Sequence, residues 1–511
     1  MTIQRLLTKM VSFTLLCVLF THSAFSQTKT VTGKVLDDKG APVQGATVTA
    51  KGSRVGTSTG ADGSFTLSVS SNVTTLVISS VGFSTQEVAV SDGPLSVALA
   101  PNQASLNEVV VIGYGTTVRK DVTGSVATVR AKDFNKGVTT PEELLIGKVA
   151  GLQVANNSGQ PGGTTITKIR GNNSIVSGNN PLYVVDGVPL DATSPIPGQK
   201  AASVGTSPLN NPLLFLNPGD ILQIDVLKDA SSAAIYGSRG ENGVVLITTN
   251  KGNGKPAVDG SVTYTFPTGL MKSVDVLSAA QYRSELNVYG FHSDSGLSLN
   301  PFQQIVRHTP SALYSAAISG GNENGKYRAS FAANDNQGII LKSALQQYTA
   351  TFSGEHYAIN KRLRVNVNLT ASHYTLQSAP ISTDAGSTGN LISAAMNWNP
   401  TLRLVNSDGS YMQTNPSGQI NPLALSTYSN DYSHVTQILG NAGLSFQILP
   451  FLSYNFLYGI NYGSATRDAE LQGLIAATGS NADGKGSAAF ASGSLFSETI
   501  THTLTFDKHL T

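Results

Sequence analysis

Charge is scarce in this sequence: Asp, Glu, Lys and Arg make up 13% of its 511 residues, about half of the roughly 25% usual in globular proteins. Neither a charge-rich helical protein nor a disordered acidic or basic tail has such a composition. The two signs balance, with 33 basic against 31 acidic side chains, so there is no whole-protein field for gripping nucleic acid. Aromatic residues are 7%, and there is one cysteine, Cys17. Long apolar runs are missing too: no internal stretch approaches the ~20 residues of a membrane helix. A helical membrane protein is excluded, and a membrane β-barrel is not. Glycine, by contrast, is abundant at 51 residues.

Arg5 and Lys9 precede the apolar stretch from Met10 to Phe20, and Ala24-Phe25-Ser26 supplies small residues for cleavage. Residues 1–26 therefore read as a secretory signal peptide cut before Gln27. Cys17 leaves with it, which excludes disulfides, thiolate chemistry and Cys-ligated zinc or iron–sulfur centres from the mature chain.

Residues 27–100 alternate short Val/Thr/Leu runs with turn signals such as Asp37-Asp38-Lys39-Gly40 and Gly60-Ala61-Asp62-Gly63, a pattern that predicts a small β-sandwich. The runs Val31-Thr32-Gly33-Lys34-Val35, Pro42-Val43-Gln44-Gly45-Ala46-Thr47-Val48 and Thr59-Gly60-Ala61-Asp62-Gly63-Ser64-Phe65 resemble the carboxypeptidase-regulatory-like domain. That resemblance implies a fold and no peptidase. A linker, 101–119, carries Glu108-Val109-Val110-Val111-Ile112-Gly113-Tyr114. Four β-branched residues after an acid form an extended segment that can add to another protein's sheet edge, although an ordinary strand reads the same way.

Residues 120–255 read as a compact α+β domain. Thr140-Pro141-Glu142-Glu143 predicts a helix start, with Thr140 as N-cap and Pro141 at the first helical position. Strands are predicted at Gly151–Val154, Ile166–Gly171, Leu182–Pro189, Ile224–Asp229 and Val244–Thr249, a polar loop at Asp191–Asn211, and a short helix from Ala230 to Tyr236. From 256 to 511 the strands become two-sided. In Leu363–Ser372 and Leu452–Tyr462 one face is apolar and the other is rich in Asn, Ser and Thr. Similar segments fall near 261–267, 314–320, 326–335, 346–357, 437–449 and 499–507, each near the ~9–11 residues of a tilted membrane strand. A soluble β-sandwich or propeller shows the same alternation. The expected fold class is all-β dominated: a small sandwich, an α+β domain and part of an antiparallel transmembrane barrel.

Chemistry is hard to find. Gly56-Thr57-Ser58-Thr59-Gly60 has the letters of a nucleophile elbow, but a turn and a strand follow where a helix is needed. Gly237-Ser238-Arg239-Gly240-Glu241-Asn242-Gly243 lies between a helix and a strand, the reverse of a nucleotide loop, and reads as a tight turn. No two of the histidines after residue 26 have the i, i+4 spacing of a helical metal site. Asp186 and Asp225 read as solvated carboxylates at strand ends. Catalytic residues, metals and cofactors are not expected.

Several stretches, in order, are similar to the N-terminal part of the SusC/RagA-type TonB-dependent outer-membrane transporters. They are Asn107 to Thr116, Gly147-Lys148-Val149-Ala150-Gly151-Leu152-Gln153-Val154, Ile169-Arg170-Gly171, Pro181 to Pro189 and Leu227 to Arg239. Gly240-Glu241-Asn242-Gly243 departs from the family's usual turn. The resemblance implies that 120–255 is a plug inside a barrel and that Glu108 to Tyr114 is the TonB box. It also implies plug-motif residues Arg170, Gly171, Asp186, Gly187, Lys228, Asp229, Tyr236, Gly237, Ser238, Arg239 and Gly243. The implied partners are periplasmic TonB, a SusD-like surface lipoprotein, outer-membrane lipid and an oligosaccharide or peptide ligand, with no nucleic acid. Such barrels close with about 22 strands, whereas eight segments are visible, so the chain is expected to be the front half of a longer transporter or a truncated product. The rival expectations are a secreted β-rich adhesion or scaffold protein and a cell-surface hydrolase.

Overall fold

The computed structural model describes residues 28–507 except 39, 54, 81–82, 92, 101–108, 113–114, 119–124, 139, 157–158, 173–177, 191–193, 202–203, 207–210, 253–254, 267–275, 290–293, 382–389, 414–418 and 476–484. The signal peptide, Glu108, Gly113 and Tyr114 thus lie outside the described residues. The chain divides into two compact units, the first comprising residues up to 108 with 118–120.

The first unit is a sandwich of two sheets. One has the order β4-β1-β7, from Ser64–Ser70, Thr28–Asp37 and Leu95–Leu99; the other has the order β3-β2-β5-β6, from Gly56–Ser58, Thr47–Ala50, Thr75–Ser79 and Gln86–Ala89. Along β4, Phe65, Leu67 and Val69 are buried while the alternating Ser and Thr are exposed. They meet Val31, Val35, Val48, Leu76, Ile78 and Val97 in one core. Gly56–Ser58 is a strand followed by β4, so the elbow letters have no elbow geometry.

In the second unit, β10 (Val126–Arg130), β17 (Ile221–Leu227), β18 (Val244–Thr249), β13 (Leu182–Val185) and β14 (Val188–Pro189) form a mixed sheet in that order. Strands β13 and β18 are parallel and the other pairs antiparallel. Both faces of β13 and β18 are covered, which is why Leu182-Tyr183-Val184-Val185 and Val244-Val245-Leu246-Ile247 are continuous apolar runs. A hairpin of β11 (Leu152–Asn156) and β12 (Thr165–Ile169) stands beside the sheet.

Four expectations are corrected here. The turn after Pro141 is a 3-10 helix, Glu142–Leu145, and Thr140 does not cap it with its side chain. Glu142, Leu144 and Leu145 are all buried, so packing decides the geometry. The helix from Ala230 ends at Ala233 and continues as a 3-10 segment to Gly240, broken at Gly237, whose φ of 61° has left the helical region. The loop 191–211 contains a short ribbon, β15 (Gln199–Ala201) with β16 (Val204–Thr206). Asp225 is no solvated turn residue: it lies within β17, fully buried, accepting from Thr128 Oγ1 at 2.5 Å and Gln223 Nε2 at 2.6 Å.

Eight further strands form one antiparallel meander, β19 (Ala257–Thr265), β20 (Ser311–Asn322), β21 (Gly325–Gln337), β22 (Ala344–Ala358), β23 (Leu363–Gln377), β24 (Ser429–Leu449), β25 (Leu452–Leu471) and β26 (Ser487–Phe506). All eight predicted segments are strands, but most are longer than membrane depth demands. The last three have 21, 20 and 20 residues against the ~9–11 that cross a bilayer. The apolar stripe stops earlier. On β23 it runs through Val365, Val367, Leu369 and Ala371, then gives way to His373 and Thr375; across the register, Ile438 to Phe446 gives way to Thr436 and His434. The extra length therefore continues past the apolar band on one side. There the connections 266–310, 378–428 and 472–486 are long, and at the other end the turns at 323–324, 359–362 and 450–451 are short. Long-side segments share a core of Phe302, Ile305, Leu391, Ala394, Leu425 and Leu471. Among the described residues, β19 and β26 are the sheet's edges.

Candidate functional site

One face of the meander is packed on the α+β domain, and that face is the polar one. Gln347 Nε2 on β22 donates to Leu214 O (2.7 Å), and Thr349 Oγ1 to Phe215 O (3.3 Å). Asn441 on β24 donates to Asp186 O (3.2 Å), and Arg467 Nη1 on β25 to Pro197 O (3.2 Å). Arg328 on β21 forms an ion pair with Asp220 at 2.9 Å, the two side chains being 9% and 7% exposed. Every one of these contacts reaches the domain between residues 186 and 220. Small residues allow the close approach. A β-carbon on Gly459 would come within 2.6 Å of Val188, and one on Gly493 within 2.4 Å of Pro195 O.

The opposite face carries Val262, Tyr314, Phe331, Tyr348, Phe352, Val367, Leu369, Tyr462, Phe496, Ile500 and Leu504, all exposed. The sheet is thus inside-out, with apolar side chains outward and amides and hydroxyls against the packed domain. Water-soluble sandwiches and propellers put the apolar face inward. This arrangement suits a lipid surround.

The predicted plug-motif residues separate into three groups. Arg170, Lys228 and Asp229 form a clip. Asp229 Oδ2 accepts the Ser125 amide at 2.5 Å, Oδ1 pairs with Arg170, and Lys228 Nζ donates to Ala150 O at 3.2 Å. The Ser125 amide, followed by the Arg170 guanidinium, holds the Asp229 carboxyl below its usual range. Arg170 (φ 59°) and Gly171 (φ 97°) make the left-handed turn that brings the guanidinium there. The clip closes where β10 begins, on the chain that arrives from residues 109–118.

Asp186 and Gly187 form the second group. They take positive φ in the tight turn between β13 and β14, where the Asp186 carboxylate accepts from Thr249 N (3.0 Å) and Thr249 Oγ1 (2.6 Å). Their turn touches the meander through Asn441 and Leu457. The third group, Tyr236 to Gly243, props the sheet. Tyr236 is buried, Ser238 O accepts from Glu241 N, Arg239 is exposed, and Gly243 at φ 86° packs on Ile169 and Leu227 O.

Of the box-like run, Val109–Ile112 form strand β8, paired with β9 (Gly115–Val118) as a two-stranded ribbon. Sequence reasoning missed Ser125, Asp220, Arg328, Gln347, Asn441 and Arg467, since nothing local marks a partner a hundred residues away. It also missed the interior position of Glu142, whose carboxyl burial pushes up to about 8. Among the described residues there is no group of His, Cys, Asp or Glu able to hold a metal ion.

Residues 31–111 match the CarboxypepD_reg-like domain and 118–244 the TonB-dependent Receptor Plug Domain. The TonB-dependent receptor SusC of Bacteroides thetaiotaomicron is 34% identical over 477 residues, covering 87% of this chain and 45% of the relative. The TonB-dependent receptor P3 of Formosa agariphila is 32% identical, covering 85% of the chain and 42% of its own length. The chain thus spans less than half the length of these relatives. In fold it is similar to the RagAB peptide importer in its closed-closed state, with a TM-score of 0.62 at 20% identity over 76% of this chain and 46% of that one.

Proposed function

Because the chain belongs to the SusC/RagA type of TonB-dependent receptors, which are outer-membrane proteins, we propose that it supplies the plug and first wall strands of an energy-coupled importer. The observation that carries this reading is the inside-out sheet bonded by its polar face to the α+β domain. Substrate binding on the outer side frees the TonB box, TonB adds a strand to Val109–Ile112, and tension then reaches the plug through β10. The first groups in its path are the Ser125–Asp229–Arg170 clip and the five-pair β10–β17 ladder. The contacts at 186–220 hold the rest of the plug to the wall.

Asn366, Asn368, Thr370, Ser372, Gln437, Asn441 and Asn461 give the polar face of the wall many uncharged hydrogen-bonding groups. That chemistry favours neutral polar solutes, oligosaccharides or peptides, and a SusD-like lipoprotein would retain them on the outer side. Cells carrying the transporter should take up labelled oligosaccharide or peptide pools only when TonB is present, with the protein in the outer-membrane fraction in both cases. Equal uptake with and without TonB contradicts the reading.

A further inference from the structure

Among the described carboxyls of the plug, Glu142 is the one that is buried without a hydrogen-bond partner. It is 2% exposed, and neither of its oxygens has a hydrogen-bond partner among the described residues. The side chains around it are also unsatisfied. Thr140 Oγ1, Thr167 Oγ1 and Asn211 Nδ2 are buried without partners, while the Asn211 Oδ1 atom is committed to Leu213 N at 3.2 Å. Thr140 and Asn211 are near enough to favour the charged form, yet neither closes a bond of proper geometry. Four separate pieces of the plug converge here: the 3-10 turn, β12, β13 and the turn at 211.

Among the described residues, the charged and titratable surroundings offer no cation. On the same turn, Glu143 is held away, accepting from Asn156 Nδ2 at 2.7 Å and Thr140 N at 3.3 Å. On β13, Tyr183 is buried, and desolvation together with Glu142 raises its hydroxyl well above the usual range. Lys168 alternates to the opposite side of β12 from Thr167, and Lys132, Asp133 and Lys136 of the preceding segment are exposed. An unpaired charge in such a place costs several kcal/mol, and a carboxyl meets that cost by staying protonated.

We propose that Glu142 holds a proton while the plug is seated and releases it to water when the plug opens, so that opening is linked to proton release and becomes easier as pH rises. In that step the carboxyl O–H bond breaks, the proton passes to water and the negative charge remains on Glu142. The direction follows from linkage. The seated plug binds the proton more tightly than the opened one, so its stability is greatest below the ordinary carboxyl range. It then declines as pH rises towards about 8 and is flat above. This rests on the assignment of the domain as a plug and not on import, because the proton is held whether or not anything is carried.

The test uses the full chain in detergent micelles. An infrared titration of the unmodified protein should show a neutral-carboxyl band that survives to about pH 7 and is lost above it, and Glu142→Gln should remove that band. Hydrogen exchange at 140–169, corrected for its intrinsic pH dependence, should accelerate at least about tenfold between about pH 5 and about pH 9. The acceleration should vanish in Glu142→Gln and persist in Glu143→Gln. A titration with no neutral carboxyl near pH 6, or an equal acceleration in Glu142→Gln, overturns the proposal. The infrared result on the unmodified chain decides the matter even if the Gln variant folds poorly.

Discussion

Replacing Val110 with proline is expected to weaken TonB binding at least about tenfold, a loss of roughly 1.4 kcal/mol, while Val110→Thr leaves it nearly unchanged. Strand addition draws its affinity from main-chain N–H and C=O groups. Proline removes one donor and fixes φ, whereas threonine keeps both the donor and the preference for extended backbone. The strand Val109–Ile112 has only four residues, so one lost donor is a large share of its ladder. It already pairs on one side with β9, and TonB must use its other edge or displace β9. Binding of the isolated periplasmic domain of TonB to the purified chain measures the effect. Equal binding by the Pro variant would show that these residues are not the box.

The second large effect is expected at Arg328. Truncation to alanine leaves the Asp220 carboxylate buried with, among the described residues, Asn217 Nδ2 at 3.2 Å still donating to its side chain. Breaking a buried pair by removing one partner costs about 3–5 kcal/mol. The cost falls on the turn 217–220, which starts β17, so hydrogen exchange should rise through 212–227 and the plug should become sensitive to protease. Arg328→Met combined with Asp220→Leu is expected to restore much of the protection, because two apolar side chains carry no desolvation debt. Unchanged exchange in Arg328→Ala would mean that the apolar packing of Leu213, Phe215 and Leu345 holds the plug without the ion pair.

Much of this was legible in the sequence because its periodicities are strict. Phe65-Thr66-Leu67-Ser68-Val69 and Leu363 to Ser372 alternate at period two, and each is a strand with the apolar set on one face. What periodicity cannot give is which face meets the interior. Val365, Val367 and Leu369 would be core in a soluble sheet, and here they face outward. Local signals failed where packing outweighed them. Thr140-Pro141 has the letters of an N-cap and first helical residue, but burial of Glu142, Leu144 and Leu145 draws the turn into a 3-10 helix. Asp225 looked like a turn carboxylate, yet Thr128 and Gln223 satisfy it inside the sheet. The clip and the Arg328–Asp220 pair join residues 104 and 108 positions apart, a relation that no window of sequence contains.

The most direct test of the whole account is whether the plug must move against β25. A β-carbon built on Gly459 lies 3.4 Å from that of Val188, close to the ~3.5–4.5 Å spacing of disulfide partners. Cys17 is the one cysteine of these 511 residues and falls in the predicted signal peptide, so Val188→Cys with Gly459→Cys places one oxidisable pair in this chain. Cells carrying this double variant are given labelled oligosaccharide or peptide pools, first oxidised and then reduced. Uptake is expected to be blocked in the oxidised state and restored by reductant, with Val188→Cys alone active in both. Undiminished uptake through the oxidised, cross-linked protein would contradict it.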